Sequence, residues 1–371
     1  MNSICLRVLV AVFFVPGVAM SQDAAQLSEI TAEEARIPKP PRSVADVLNL
    51  LERYQTKPEV IQKIIATADS VAPVNATETE ASLFYQKRST AAEALGRLNQ
   101  AKEDAEKAIE YGPKNAGTES SRDLIGDAYS TAITSSYTAG DPIAGIEYSK
   151  RYLEVLKNAP YNGGFVLSGN RFLMGGYLML GDMNEASVAL AGLERGFSET
   201  RSYRKGFAEF GDNWTQNYRI GKGYYYLGLG KAVEAEFEFL RAKEANDSLR
   251  YRESRGDFKF SSRRTFNASS IASIRDTILR SLGRSTLEQG KSAQAEYWYR
   301  EALKVNLEEQ GRASPKVSFA LSGLSRAVAE QGRLNEAVQL SKASLQSMKE
   351  SGAAETSLNV IESRRSYADA L

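Results

Sequence analysis

One phrase returns six times along this chain: a glycine, a polar or charged residue, three more residues, then alanine or glycine. It stands at Gly96 to Ala101, Gly140 to Gly145, Gly181 to Ala186, Gly230 to Ala235, Gly290 to Ala295 and Gly332 to Ala337; only in the second does proline follow the polar residue. A glycine that ends a helix takes a left-handed backbone that a Cβ would oppose. A small residue five places later lets the returning helix cross its predecessor closely. Apolar or small residues follow at four and seven places from that residue, as at Ala105 and Ala108, Leu190 and Leu193, Phe239 and Ala242, and Tyr299 and Ala302. Spacing of four and then three keeps them on one helical face. The pattern predicts an all-α array of antiparallel helix pairs.

Upstream of the turns, Gly223 and Tyr226 in the fourth phrase and Leu282 and Gly283 in the fifth extend the pattern, and Pro113 closes the first. Taken together these positions resemble the tetratricopeptide repeat (TPR), W-x2-L-G-x2-Y, then A-x3-F, then P. Gly223, Tyr226, Ala235, Phe239 and Ala242 match in one repeat, and Gly283, Ala295, Tyr299 and Ala302 in the next. The resemblance covers about three-quarters of the chain and implies a TPR-type right-handed superhelical solenoid. The turn glycines lie 44, 41, 49, 60 and 42 residues apart, longer than the family's usual ~34. Insertions are therefore expected before the fourth and fifth glycines. The second repeat fits least well, with Gly145 in place of alanine and Tyr152 where a small residue is usual.

The N-terminus reads differently. Arg7 is the only charged side chain before Asp23, and Val8 to Val15 is an unbroken apolar run. That run is too short for a bilayer span but suits a secretory signal peptide, with Ala19 and Ser21 as small residues before a cut at Gln22, or with a cut after Ala19 as the alternative. The expected divisions are a signal peptide over 1–21, an extended Pro-rich linker over 22–42 and a capping helical hairpin over 43–75. The array then occupies 76–371, six repeats plus an incomplete seventh. In the hairpin, Ser43 reads as an N-cap for Val44 to Tyr54, and Pro58 opens the second helix. Ser357 to Leu371 reads as a first helix without its turn and second helix, so a fragment of a longer protein is expected.

Composition removes several chemistries. The 371 residues contain no histidine and one cysteine, Cys5, which would leave with the signal peptide. Ser-His-Asp and Cys-His catalysis and imidazole-ligated zinc are thereby excluded. No Gly-rich phosphate loop occurs, so neither cofactor nor metal is expected. With 47 Lys+Arg against 46 Asp+Glu, no bulk field favours nucleic acid or an anionic membrane, and no membrane span is expected.

In TPR proteins the first helix of each pair lines the concave side, where partners dock. Register with the repeat places Arg171, Tyr224, Arg280, Arg284 and Arg326 there, and Arg365 in the unfinished repeat. An arginine track of this kind would grip carboxylates of a protein or extended peptide, an acidic one by its charge. The Lys/Asn carboxylate clamp of chaperone-binding TPR proteins is not reproduced. A second basic stretch, Arg250, Arg252, Arg255, Lys259, Arg263 and Arg264, interleaves with Tyr251, Phe258 and Phe260 and reads as an exposed insertion between repeats. The signal peptide, the linker and the long repeats with G-[RK]-x-x-[EQ]-A turns resemble the front half of bacterial exported TPR–CHAT proteins. That resemblance implies a regulatory or targeting segment ahead of a caspase-like domain absent from this chain. The leading reading is an exported interaction scaffold without enzymatic activity. The rival is a helical-toroid enzyme acting on glycans, with Glu209 and Asp212 beside Phe210 and Trp214 as its paired carboxylates.

Overall fold

The computed structural model describes residues 28–371, apart from 29, 32–34, 42, 55–57, 160–161, 259–267 and 354–357. The signal-peptide segment and Lys259, Arg263 and Arg264 lie outside the described residues. The chain divides into two units, Met1–Ile37 and Pro38–Leu371, and everything below concerns the second.

The described secondary structure is helical. An opening pair, α1 (Ala45–Arg53) and α2 (Pro58–Ala68), precedes six long pairs. These are α3 (Glu78–Ala94) with α4 (Leu98–Tyr111), α5 (Glu119–Thr138) with α6 (Pro142–Leu156), and α7 (Gly163–Leu180) with α8 (Met183–Ser202). Then come α9 (Arg204–Gly228) with α10 (Ala232–Ser254), α11 (Ala268–Glu288) with α12 (Ser292–Gln310), and α13 (Pro315–Ala329) with α14 (Leu334–Glu350). A single helix, α15 (Leu358–Ala370), follows and packs on α13 and α14. Ala45, not Val44, begins α1; the Ser43 hydroxyl still accepts from the Ala45 N–H at 3.1 Å.

All six turns are built alike. Gly96, Gly140, Gly181, Gly230, Gly290 and Gly332 have φ between 64° and 76°. In each, the N–H after the glycine reaches back five residues, as Lys231 does to the Tyr226 carbonyl at 2.9 Å and Lys291 to that of Thr286 at 2.9 Å. This is the Schellman arrangement, which satisfies carbonyls the helix end leaves open. The small residues five places on, Ala101, Ala186, Ala235, Ala295 and Ala337, are fully buried. In the second pair the glycine has a steric reason. A Cβ on Gly145 would lie 2.1 Å from the ring of Tyr137, whose hydroxyl donates to the Phe172 carbonyl of the next pair at 2.7 Å. Tyr152 is likewise buried, edge-on to Phe172.

The extra residues before the fourth glycine become helix, not loop. α8 and α9 have 20 and 25 residues, against 15 in α6. The added length is covered by aromatic rings: Phe197 stacks on Tyr218 at 4.2 Å, and Phe207 lies against Trp214. Before the fifth glycine, α10 runs for 23 residues to Ser254, so Arg250 and Arg252 belong to its last turns. Phe258 beyond it is buried with Leu249 and Ile271. The stretch read as an exposed insertion is therefore anchored at its start, because Phe258 and the apolar face of α10 needed a core.

Neighbouring pairs are joined by ionic clasps. Buried Glu236 of α10 accepts from Gln289 at 2.7 Å and pairs with Lys291 at 3.2 Å, the two residues flanking the next turn glycine. Glu296 of α12 repeats this with Gln331 and Arg333, both at 2.8 Å. Between the first and second long pairs the charges are exchanged, with Lys102 on Asp141 at 2.7 Å.

The same network ties the two ends of the unit together. Arg300, held by Glu296, donates to Asp46 of α1 at 2.7 Å and to the Ser43 carbonyl at 3.3 Å. The Val44 N–H donates to Glu336 of α14 at 3.2 Å. At the far end of α14, a Cβ on Gly352 would lie 3.5 Å from Leu95 and 3.7 Å from Ile61. The opening helices thus rest on the fifth and sixth long pairs.

Candidate partner-binding site

The first helices α7, α9, α11 and α13 carry the predicted arginine track, and the structure brings part of it together. Tyr299 of α12 fits between α11 and α13 because Gly283 and Gly323 leave room; a Cβ on either would lie 2.8 or 2.2 Å from its ring. Burial pushes the Tyr299 hydroxyl up in pKa, and the nearby positive charges of Arg326, Arg280 and Arg284 oppose that rise. Three arginines from two neighbouring first helices therefore lie within electrostatic reach of one aromatic residue. Tyr224 continues the track toward α7, its hydroxyl near enough to both Arg280 and Arg171 to influence their titration. Its hydroxyl accepts from Ser281 at 3.1 Å, and its ring packs edge-on against Phe239.

The arginines differ in what already holds them. Arg280 makes a bidentate pair with Asp276, one turn back, through Nε and Nη2 at 2.9 Å, and lies over the Phe319 ring. Burial lowers its pKa, but the Asp276 carboxylate outweighs that effect and the net shift is upward. Asp276 is fully buried and also accepts from Asn306 at 2.7 Å. Arg284 pairs with Glu288 at 2.8 Å with its side chain 57% exposed. Arg365 lies 3.8 Å from Asp369 and is 77% exposed, and among the described residues no ion pair or hydrogen bond links it to the others. Arg280, Arg284 and Arg365 are thus already paired within their own helices. Each has an acid four residues away, the spacing at which helix side chains meet. Such exposed pairs are worth about 0.3–0.5 kcal/mol and yield to a better partner; the Arg280 pair, on a buried carboxylate, does not.

Arg326 and Arg171 make no hydrogen bond or ion pair through their guanidiniums among the described residues. Arg326 is exposed. Arg171 is half-buried, its Nε is buried without a hydrogen-bond partner, and its guanidinium lies 5.0 Å from the Phe172 ring. Burial draws its pKa down, opposed by Tyr224, Tyr152 and Tyr137. It stays charged at any physiological pH.

The second basic group does not form a comparable cluster among the described residues. Arg252 is turned inward onto Asp212 at 3.3 Å and over the Phe258 ring at 4.7 Å. Arg255 bonds to the Tyr251 hydroxyl and Asp257 on its own segment. Arg250 is exposed. These contacts also bear on the carboxylate pair of the enzyme reading. Asp212 accepts from Ser248 at 2.8 Å as well as from Arg252, so it serves to join α9 to α10.

Residues 275–350 match the tetratricopeptide-repeat family model, from α11 to the end of α14. The chain matches no curated protein. Among solved structures it is similar to the apo form of RapI, at 12% identity and a TM-score of 0.38, covering 75% of this chain and 91% of that one. It is also similar to the TPR domain of P58(IPK), at 13% identity and a TM-score of 0.28, covering 78% and 79%. The family match covers most of two helix pairs, and the same left-handed glycine turn recurs in all six long pairs, so the described fold is an all-α array of TPR-type helix pairs.

Proposed function

We propose that this protein is an exported, non-enzymatic scaffold that holds an extended acidic segment of a partner protein along its first helices. The observation that carries this reading is the gathering of Arg280, Arg284 and Arg326 about Tyr299. Guanidiniums suit carboxylates because their planar donors match a carboxylate's two oxygens. Several in register steer an acidic segment and fix its placement, although each exposed contact alone is weak. The apolar N-terminal run supports export, and the resemblance to TPR–CHAT proteins supports a regulatory or targeting role within a longer chain.

The test uses a dye-labelled, C-terminally amidated decapeptide of alternating Glu and Ser, followed by fluorescence anisotropy. Arg280 is left intact, since its loss would leave buried Asp276 with Asn306 alone. The double variant Arg284→Ala/Arg326→Ala is expected to keep its helicity and weaken binding at least tenfold at low salt. The triple variant Arg250→Ala/Arg252→Ala/Arg255→Ala is expected to bind as the parent does. Loss of binding only in the triple variant would move the site to the α10 end, and no binding by the parent would end the acidic-segment reading.

A further inference from the structure

Among the described residues, most buried charge is matched. Glu236, Glu238, Glu296 and Asp276 each have a basic partner. Arg171 is different: its aliphatic stem is wedged against α9, where its Cγ would lie 3.5 Å from a Cβ on Gly221, and its Nε is buried without an acceptor. The groups whose charges act on it are the hydroxyls of Tyr224, Tyr152 and Tyr137, which are neutral near pH 7. A cation taken partly out of water without an anion costs stability, so its presence needs another account.

One turn further along the same helix face stands Gly175. Its backbone is helical, and a Cβ built there would meet nothing within 4 Å. Packing therefore does not require glycine, and glycine in a helix interior is less stable than alanine. Gly169, Gly176 and Gly221 contrast with it, since each faces a side chain at 2.7 Å or closer. The open glycine and the unmatched guanidinium lie four residues apart, on one side of α7.

We propose that Arg171 and Gly175 form one subsite. Gly175 lets a partner's backbone approach α7 closely, and Arg171 receives an Asp or Glu side chain from that segment. This rests on the groove reading above and adds a specified anchor to it. A side chain is favoured over a terminal carboxylate because Tyr224 leads from Arg171 toward the Arg280 cluster, so a segment bound at both must run on past Arg171.

Two substitutions test this in the full chain. Arg171→Met keeps the stem and removes the charge, and Gly175→Leu fills the open space. Each is expected to leave the thermal midpoint unchanged or higher, while weakening the amidated Glu/Ser decapeptide at least tenfold. With every Glu changed to Gln, the Arg171→Met effect is expected to vanish. A Gln peptide with a free C-terminus that binds Arg171 as tightly as the acidic one would overturn the side-chain assignment. A clearly lowered midpoint for Arg171→Met would show a structural arginine, and unchanged binding in Gly175→Leu would refute the close approach even if the first variant failed to fold. If Arg284→Ala/Arg326→Ala loses the peptide while both α7 variants retain it, the groove stands and this subsite falls. If the parent binds no acidic peptide, both fall.

Discussion

Gly230 offers the cleanest measurement of what the repeated turn contributes. Its φ is +71° and a Cβ there would meet nothing within 4 Å. A substitution therefore carries a conformational cost with no clash. For Gly230→Ala the left-handed backbone costs about 1–2 kcal/mol. For Gly230→Val the β-branched side chain raises this to about 3 kcal/mol. Asn, which tolerates the left-handed region, should cost the least. If the turn opens instead, it gives up the bonds from Gly230 to Leu227 and from Lys231 to Tyr226, at 3.0 and 2.9 Å. Those are worth about 1 kcal/mol each, so opening costs about 2 kcal/mol, which offers Ala little escape and holds the loss for Val to about 2–3 kcal/mol. Urea denaturation followed by circular dichroism gives the ordering, provided the slope stays constant between variants. The expected order of stability is Gly, Asn, Ala, Val. A Val variant within about 0.5 kcal/mol of the parent, the scatter of ordinary surface changes, would mean the turn does not set the register of its pair.

Two other outcomes follow from features outside the groove. Protein recovered from outside the host cytoplasm should begin near Gln22, and N-terminal sequencing that returns Met1 there would remove the export reading. Asp46→Ala takes a half-exposed carboxylate from Arg300, and should cost on the order of 1 kcal/mol after solvent screening. Hydrogen exchange should quicken in α1 and in the first turn of α14 together; quickening in α1 alone would show that the contact is passive.

Much of the fold was legible because it is local. A left-handed glycine, the small residue five places on, and the apolar positions after it lie within one hairpin. The acids that occupy Arg280, Arg284 and Arg365 were legible as well: Asp276, Glu288 and Asp369 stand four residues from their partners. The clasps left a fainter trace, a Glu after the small residue in Ala235-Glu236 and Ala295-Glu296 and a base after the following glycine. Recognising them needed the stacking of one pair on the next. Arg171 could not be told from the other arginines by sequence, because its distinction is partial burial without an acidic partner among the described residues. Nor could the meeting of α1 with α12 and α14 be foreseen. It depends on the pitch accumulated over every pair, which no short motif encodes.

That meeting changes how disturbance should spread. In an open stack of repeats each unit answers to its neighbours, stability is close to a sum along a line, and unravelling starts at a loose end. Here Asp46 and Val44 give the fifth and sixth pairs a second set of neighbours, 254 and 292 residues away. The line of couplings becomes a circuit. An interior pair can loosen only against restraint from both directions, and a change of pitch anywhere must be absorbed at the closure between α1 and α14. A partner seated on α7 to α13 would then be felt at that closure, so the grip on a bound segment and the grip of the two ends on each other become one balance.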